Sequence, residues 1–169
     1  MRIESASQML LQRYNELDYL IKTQTTLKIK EEFHICDLLQ ERVEFLQNLY
    51  PSHPIELICK ETTLKGDATG LAKVIDNLID NSVKYSPKGS KIIVKFDHMS
   101  LKIIDRGKGI DEVELVRIFD SFYQEDAASK GFGIGLSLVK KYCDKNDIEL
   151  SINSKKERGT TIELKFKGH

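Results

Sequence analysis

A chain of 169 residues, 40% apolar and 31% charged, is long enough to bury the core of one domain and reads as soluble and globular. Its 26 basic and 26 acidic side chains cancel, so nothing in the balance suggests a nucleic-acid partner, and none is expected. No apolar run approaches the roughly 18 residues of a membrane span. The N-terminus carries no signal-peptide pattern, and no direct membrane contact is expected of this stretch. Cys36, Cys59 and Cys143 are odd in number and lack metal-ligand spacing; they read as reduced thiols, which predicts a cytoplasmic setting.

Residues 1–28 predict one long helix. Ile3, Leu10, Leu17 and Gln24 are seven apart, and Ser7, Tyr14, Ile21 and Lys28 form the second set of the same seam. An exposed apolar stripe of this kind marks a bundle helix parted from its partner; a helix lying on its own domain is the alternative. A short strand follows at 32–35, then a helix at 37–50 that ends before Pro51. Strands are predicted at 55–60 and 62–65, with Asp67 as N-cap of the next helix. The runs 91–96 and 100–105 read as a hairpin. A short helix at 111–116, a turn at 119–122 and an irregular stretch at 125–130 come next. A helix at 134–145 and a hairpin from 148–154 and 160–166 complete an α+β order.

The helix at 71–85, LAKVIDNLIDNSVKY, carries the first chemical signal. Leu71, Val74, Ile75, Leu78 and Ile79 recur at helical spacing and predict a core-facing stripe. Asn77, Asn81, Lys84 and Tyr85 share a second, polar stripe beside it. Lys73, Asp76 and Asp80 fall on the far side, where water is the expected neighbour. Two carboxamides one turn apart suit a hard cation, which prefers oxygen ligands. Solvated or capping asparagines are the plainer alternative.

Two glycine-rich stretches follow. In DRGKGI, residues 105–110, a strand ends in a carboxylate that could accept from an exocyclic amine such as adenine's. Gly107 and Gly109 would let backbone approach a planar base, although a simple turn explains the pattern as well. In GFGIGLS, residues 131–137, glycines run into a helix whose N-terminal N–H groups and dipole suit phosphate oxygens. A flexible lid fits that stretch equally. It is neither a Rossmann fingerprint nor a P-loop.

As an ordered set these pieces are far more specific. Asn77-x3-Asn81-x2-Lys84-Tyr85, Asp105-x-Gly107-x-Gly109-Ile110, Phe119-x2-Phe122-Tyr123 and Gly131-x-Gly133-Ile134-Gly135-Leu136 resemble the N, G1, F and G2 boxes of sensor histidine kinases. Gly159-Thr160-Thr161 resembles the last glycine motif of that family. The resemblance runs from about residue 30 to residue 167. It implies the Bergerat ATP-binding fold of the gyrase, Hsp90, histidine kinase and MutL superfamily. That fold is an α/β sandwich: a mixed, mostly antiparallel sheet with helices on one face and ATP under a lid.

The resemblance also implies ATP and Mg²⁺ as ligands, and roles for individual residues. Asn81 would ligate the metal, with Asn77 supporting metal or phosphates. Lys84 would approach the phosphates, and Tyr85 would line the nucleotide pocket. Asp105 would read the adenine amine, with Gly107 beside it and Gly109 beneath the base. Gly131, Gly133 and Gly135 would let the lid and helix wrap the phosphates, while Ile110, Ile134, Leu136 and Thr160 would complete the pocket. Phe119 and Phe122 would pack the root of the lid. Many members carry an arginine where this chain has Gln124; Lys130 is the expected substitute.

Gyrase-like and Hsp90-like ATPases place a glutamate where this chain has Asn77. A carboxamide cannot take a proton from water, so the resemblance implies transfer to an outside nucleophile, an imidazole on a dimeric helical hairpin. None of His34, His53, His98 and His169 is followed by the acidic residue expected of that acceptor. Residues 1–29 would then be the second helix of the dimerisation and phosphotransfer hairpin, and residues 30–169 the ATP-binding catalytic domain. The acceptor would lie on a helix missing from this chain, which would not phosphorylate itself. A homodimeric parent anchored in the inner membrane and a response regulator as downstream partner follow from the same resemblance. An anti-sigma-factor-type serine kinase and an ATP-binding module without transferase activity are the alternatives.

Overall fold

Alternation of apolar and polar side chains dictates the central sheet. In β4 (Ile92–Asp97) Ile92, Val94 and Phe96 are buried, and in β5 (Ser100–Asp105) Leu101 and Ile103 are. In β7 (Gly159–Lys165) Ile162 and Leu164 join the same face, while Lys95 and Lys165 between them stay exposed. The computed structural model describes residues 2–23, 30–110 and 135–168. The expectations for 111–134, with Phe119, Phe122, Gln124, Lys130, Gly131, Gly133 and Ile134, lie outside the described residues.

With β2 (Ile55–Cys59) and β6 (Glu149–Lys155) the sheet has five strands in the order β2-β4-β5-β7-β6. Only the β2–β4 pair is parallel, so the sheet is mixed and mostly antiparallel, as expected. His98 and Met99 carry positive φ angles of 48° and 60° in the two-residue β4–β5 turn, the backbone that matches strand twist in tight hairpins. One sheet was expected, but β1 (Glu31–His34) and β3 (Thr63–Gly66) form a separate antiparallel pair. Each has four residues, too short a pattern to specify its partner.

Helices cover one face of the five-stranded sheet. Helix α2 (Ile35–Leu49) buries Ile35, Leu39, Val43 and Leu46. Helix α3 (Ala68–Tyr85) starts where predicted, with the Asp67 carboxylate accepting the Gly70 N–H at 2.9 Å. Its stripe of Leu71, Val74, Ile75, Leu78 and Ile79 is fully buried. Helix α4 (Gly135–Lys145) adds Leu138, Val139, Tyr142 and Cys143 to the same core. Helix α1 (Arg2–Thr23) leaves Leu10, Tyr14 and Leu17 exposed by 65%, 65% and 47%, so the middle of the predicted seam does not face the domain.

Two expectations need correction. Cys36 and Cys59 are not free thiols; they form a disulfide, with Cα atoms 5.8 Å apart. The first turn of α2 comes to lie beside the end of β2, a meeting that a separation of 23 residues conceals in the sequence. Cys143 alone is free among the described cysteines, and burial pushes its thiol up to about 12. The second correction concerns the far side of α3, where Asp76 and Asp80 do not face water. Arg42 of α2 grips Asp76 through Nε and Nη2, both at 2.8 Å. Asp80 is 1% exposed and takes the Tyr50 hydroxyl, Lys84 and Arg13. Helices α1 and α2 cover that side, and each buried carboxylate is matched by donors.

Candidate functional site

The site is built where the end of β5, the last turn of α3 and the β6–β7 hairpin meet. Asp105 closes β5 and stands opposite Thr160 of β7 in the ladder. Its side chain is buried, and the carboxylate accepts the Gly107 N–H at 2.8 Å. Desolvation raises its pKa above the usual range, and hydrogen bonds from the Gly107 N–H, the Ser82 hydroxyl and the Thr160 main chain offset part of that rise. A buried carboxylate held this way gains most from a further polar donor. An exocyclic amine is one.

The loop after Asp105 is pinned from both sides. A side chain at Gly107 would place its first carbon 2.2 Å from the Tyr85 carbonyl oxygen, and Lys108 N–H bonds that same oxygen at 3.0 Å. Gly109 has φ of +70°, and the space its side chain would need is filled by the Lys155 carbonyl, 2.0 Å from the first carbon. Gly109 therefore has a packing reason for being glycine, independent of any base above it. Ile110 N–H bonds the Ser154 hydroxyl at 2.8 Å, and that hydroxyl lies 2.7 Å from the Thr160 hydroxyl. The Lys108 ammonium sits 5.0 Å from the centre of the Tyr85 ring. Tyr85, Asp105, Gly107, Gly109, Ile110 and Thr160 are thus brought together.

Along α3, Asn77 and Asn81 are one turn apart. Asn77 is buried and donates through Nδ2 to the Lys73 carbonyl at 3.0 Å; Asn81 is half-buried. The Lys84 ammonium lies on Asp80 at 2.8 Å. Gly135 and Leu136 open α4, and Leu136 packs against the core. The Tyr142 hydroxyl, near the other end of α4, bonds the Asp67 carbonyl at the start of α3. The two helices pack against each other.

The donor set fits magnesium in a particular way. Asn77 and Asn81 offer neutral oxygens, and among the described residues no cluster of three His, Cys, Asp or Glu could cage a metal. Mg²⁺ is commonly held by one or two protein groups together with substrate phosphates and water. Two carboxamides one turn apart on α3 match the protein's share of that pattern.

Ser82 and Ser154 were not anticipated. Ser82 continues the apolar stripe of α3 one turn past Leu78, and a serine at a core-facing position was the available signal. Ser154 has no such signal, since its role depends on the hairpin that presents it. Among the histidines, His53 is buried with Nε2 3.2 Å from the Ser86 carbonyl, while His34 and His98 are exposed.

Comparison with known proteins places these features in context. A family model described as "Histidine kinase-, DNA gyrase B-, and HSP90-like ATPase" matches residues 66–169. The sensor histidine kinase YkoH of Bacillus subtilis is 30% identical over 162 residues, covering 90% of this chain and 35% of YkoH. Among solved structures, the mycobacterial sensor histidine kinase MprB superposes with a TM-score of 0.73 at 24% identity, covering 80% of this chain and 95% of that one. Full-length ShkA, in complex with AMPPNP, gives 0.77 at 19% identity, covering 92% of this chain and 35% of that one. The chain spans about a third of the length of the curated relative YkoH.

Proposed function

Since the chain belongs to the histidine kinase-, DNA gyrase B- and HSP90-like ATPase family, we propose that it is the ATP-binding catalytic part of a two-component sensor histidine kinase. Asp105 carries the reading. Its buried, partly compensated carboxylate at a strand end asks for one more donor, and the adenine amine supplies it. Tyr85, Ile110, Leu136 and Thr160 line the base and sugar, and Gly107 keeps the loop against α3.

The triphosphate then lies along the polar stripe of α3 and the N-terminus of α4, where N–H groups and the helix dipole favour anions. Asn81, with Asn77 behind it, would hold Mg²⁺, which when bound neutralises phosphate charge. Lys84 supplies a cation on the same side, and contacts to the phosphates are assigned to Lys130, Gly131, Gly133, Ile134 and Gly135. Asn77 also explains the choice of acceptor. A carboxamide already donating to the Lys73 carbonyl cannot serve as general base toward water, which favours transfer to an outside nucleophile over hydrolysis. The γ-phosphoryl passes to a ring nitrogen of a histidine on a partner hairpin helix, and ADP leaves.

Residues 1–29 belong to that hairpin in this reading. Leu10, Tyr14 and Leu17, exposed on α1, supply the face that pairs with the missing helices of a homodimer. No described helix is long and apolar enough to cross a membrane. The domain works on the cytoplasmic side, where ATP is, with a membrane-anchored parent and a response regulator as the next phosphoryl acceptor. Calorimetric titration tests the nucleotide site. Asn81→Ala is expected to weaken Mg·ATP binding about tenfold or more, the loss of one strong charge-linked contact, and to leave metal-free nucleotide binding nearly unchanged. Equal weakening with and without Mg²⁺ would remove the metal role.

A further inference from the structure

Helix α3 ends in an arrangement that the nucleotide site does not require. Asp80 is 1% exposed and meets donors from α1, from α3 and from the residue that caps α2. The hydroxyl of Tyr50, the C-cap of α2, holds Oδ1. Lys84 of α3 itself reaches Oδ2 at 2.8 Å, and Nη2 of Arg13 from α1 approaches the same Oδ2 at 3.5 Å. With the Tyr50 hydroxyl on Oδ1, both cations meet at Oδ2. Two cations converging on one oxygen away from bulk water repel each other, so a tighter grip by one loosens the other.

Helix geometry gives this competition a consequence. Lys84 lies four residues after Asp80 and three after Asn81, so its stem rises between the two. Its flexible side chain can lean to either. In the structure it leans to Asp80, away from the asparagine side where the triphosphate is placed above.

We propose that Asp80 is the positioning residue of Lys84, and that Arg13 competes for the same carboxylate oxygen, so that the seating of α1 governs how far the lysine is free to meet the triphosphate. The proposal rests on the nucleotide reading above. A firmly seated α1 draws Asp80 toward Arg13 and releases the lysine; a withdrawn α1 leaves the lysine captive. The helix that carries the dimer seam thereby reports its position to the phosphate side of α3 through one shared oxygen.

Two measurements on the full chain test this separately. The first needs no nucleotide: acylation of Lys84 by an N-hydroxysuccinimide ester, followed by peptide mass spectrometry. Arg13→Ala should slow labelling and Asp80→Asn should speed it, each by about fivefold. Tyr50→Phe frees Oδ1, and in that background Arg13→Ala should no longer change the rate. The second is the Kd for Mg·ATP. Asp80→Asn should tighten it and Arg13→Ala weaken it by similar factors, and both shifts should vanish once Lys84→Ala is added. Lys84 labelling at one rate in all variants would overturn the competition. Affinity shifts that persist in Lys84→Ala would mean a general charge effect and overturn the positioning role. Labelling that responds as stated in a chain that binds no ATP would support the competition and sink the nucleotide reading instead.

Discussion

Asp105 and Thr160 face each other across the β5–β7 ladder, and the Thr160 main chain helps hold the Asp105 carboxylate that burial would otherwise neutralise. The pair ties the proposed base-reading group to the strand that follows the β6–β7 turn.

A raised folded-state pKa has a definite sign for stability. The contribution of Asp105 is full at acid pH, below the ordinary carboxylate pKa, and is lost as pH rises through the folded value. At neutral pH the ionised form therefore costs stability. Asp105→Asn should be at least as stable as the parent at neutral pH, within about 1 kcal/mol, with any advantage shrinking on acidification. The same variant should lose preference for ATP over GTP. Thermal melts across pH together with nucleotide titrations check both; unchanged affinity and selectivity would refute the adenine assignment.

The Asp76 carboxyl is also raised by burial, with the two-point Arg42 contact offsetting part of the rise. Removing the guanidinium leaves a largely buried carboxylate without its main partner. Arg42→Ala should cost about 2 kcal/mol at neutral pH. The loss should shrink in acid, where Asp76 carries no charge. Urea unfolding at pH 7 and near pH 4, the ordinary carboxylate range, measures the difference.

How much of this was legible beforehand varies with the range of the interaction. The α3 stripe, the Asp67 cap and the strand end at Asp105 are local patterns, and each forms as its periodicity dictates. Asp80 misled because its spacing on α3 says which side it occupies and nothing about what covers that side. Only with α1 and α2 in place does a buried carboxylate with three donors emerge. Pairing of β1 with β3, and of Cys36 with Cys59, likewise depends on chain segments that sequence spacing does not bring together. At Gly109 the glycine was assigned to base contact, whereas the Lys155 carbonyl already explains it.

The cysteine correction has its own test. Thiol titration of the denatured, unreduced chain should find one group, Cys143, and three after reduction. Closing the 23-residue separation should be worth about 3 kcal/mol, so reductant or Cys36→Ser with Cys59→Ser should lower stability by that order. The stability difference should appear as a dependence on reductant in the assay buffer.

In the proposed function, this chain donates the γ-phosphoryl of ATP to a histidine on a separate helical hairpin. Mixing it with γ-labelled ATP, Mg²⁺ and a separately prepared helical hairpin that carries the phosphoacceptor histidine of its parent protein tests that claim most directly. Acid-labile, base-stable label is expected on the hairpin, with none on this chain and loss of transfer in Asn81→Ala. Bound ATP with no label on the hairpin, or label appearing on the chain alone, would contradict it.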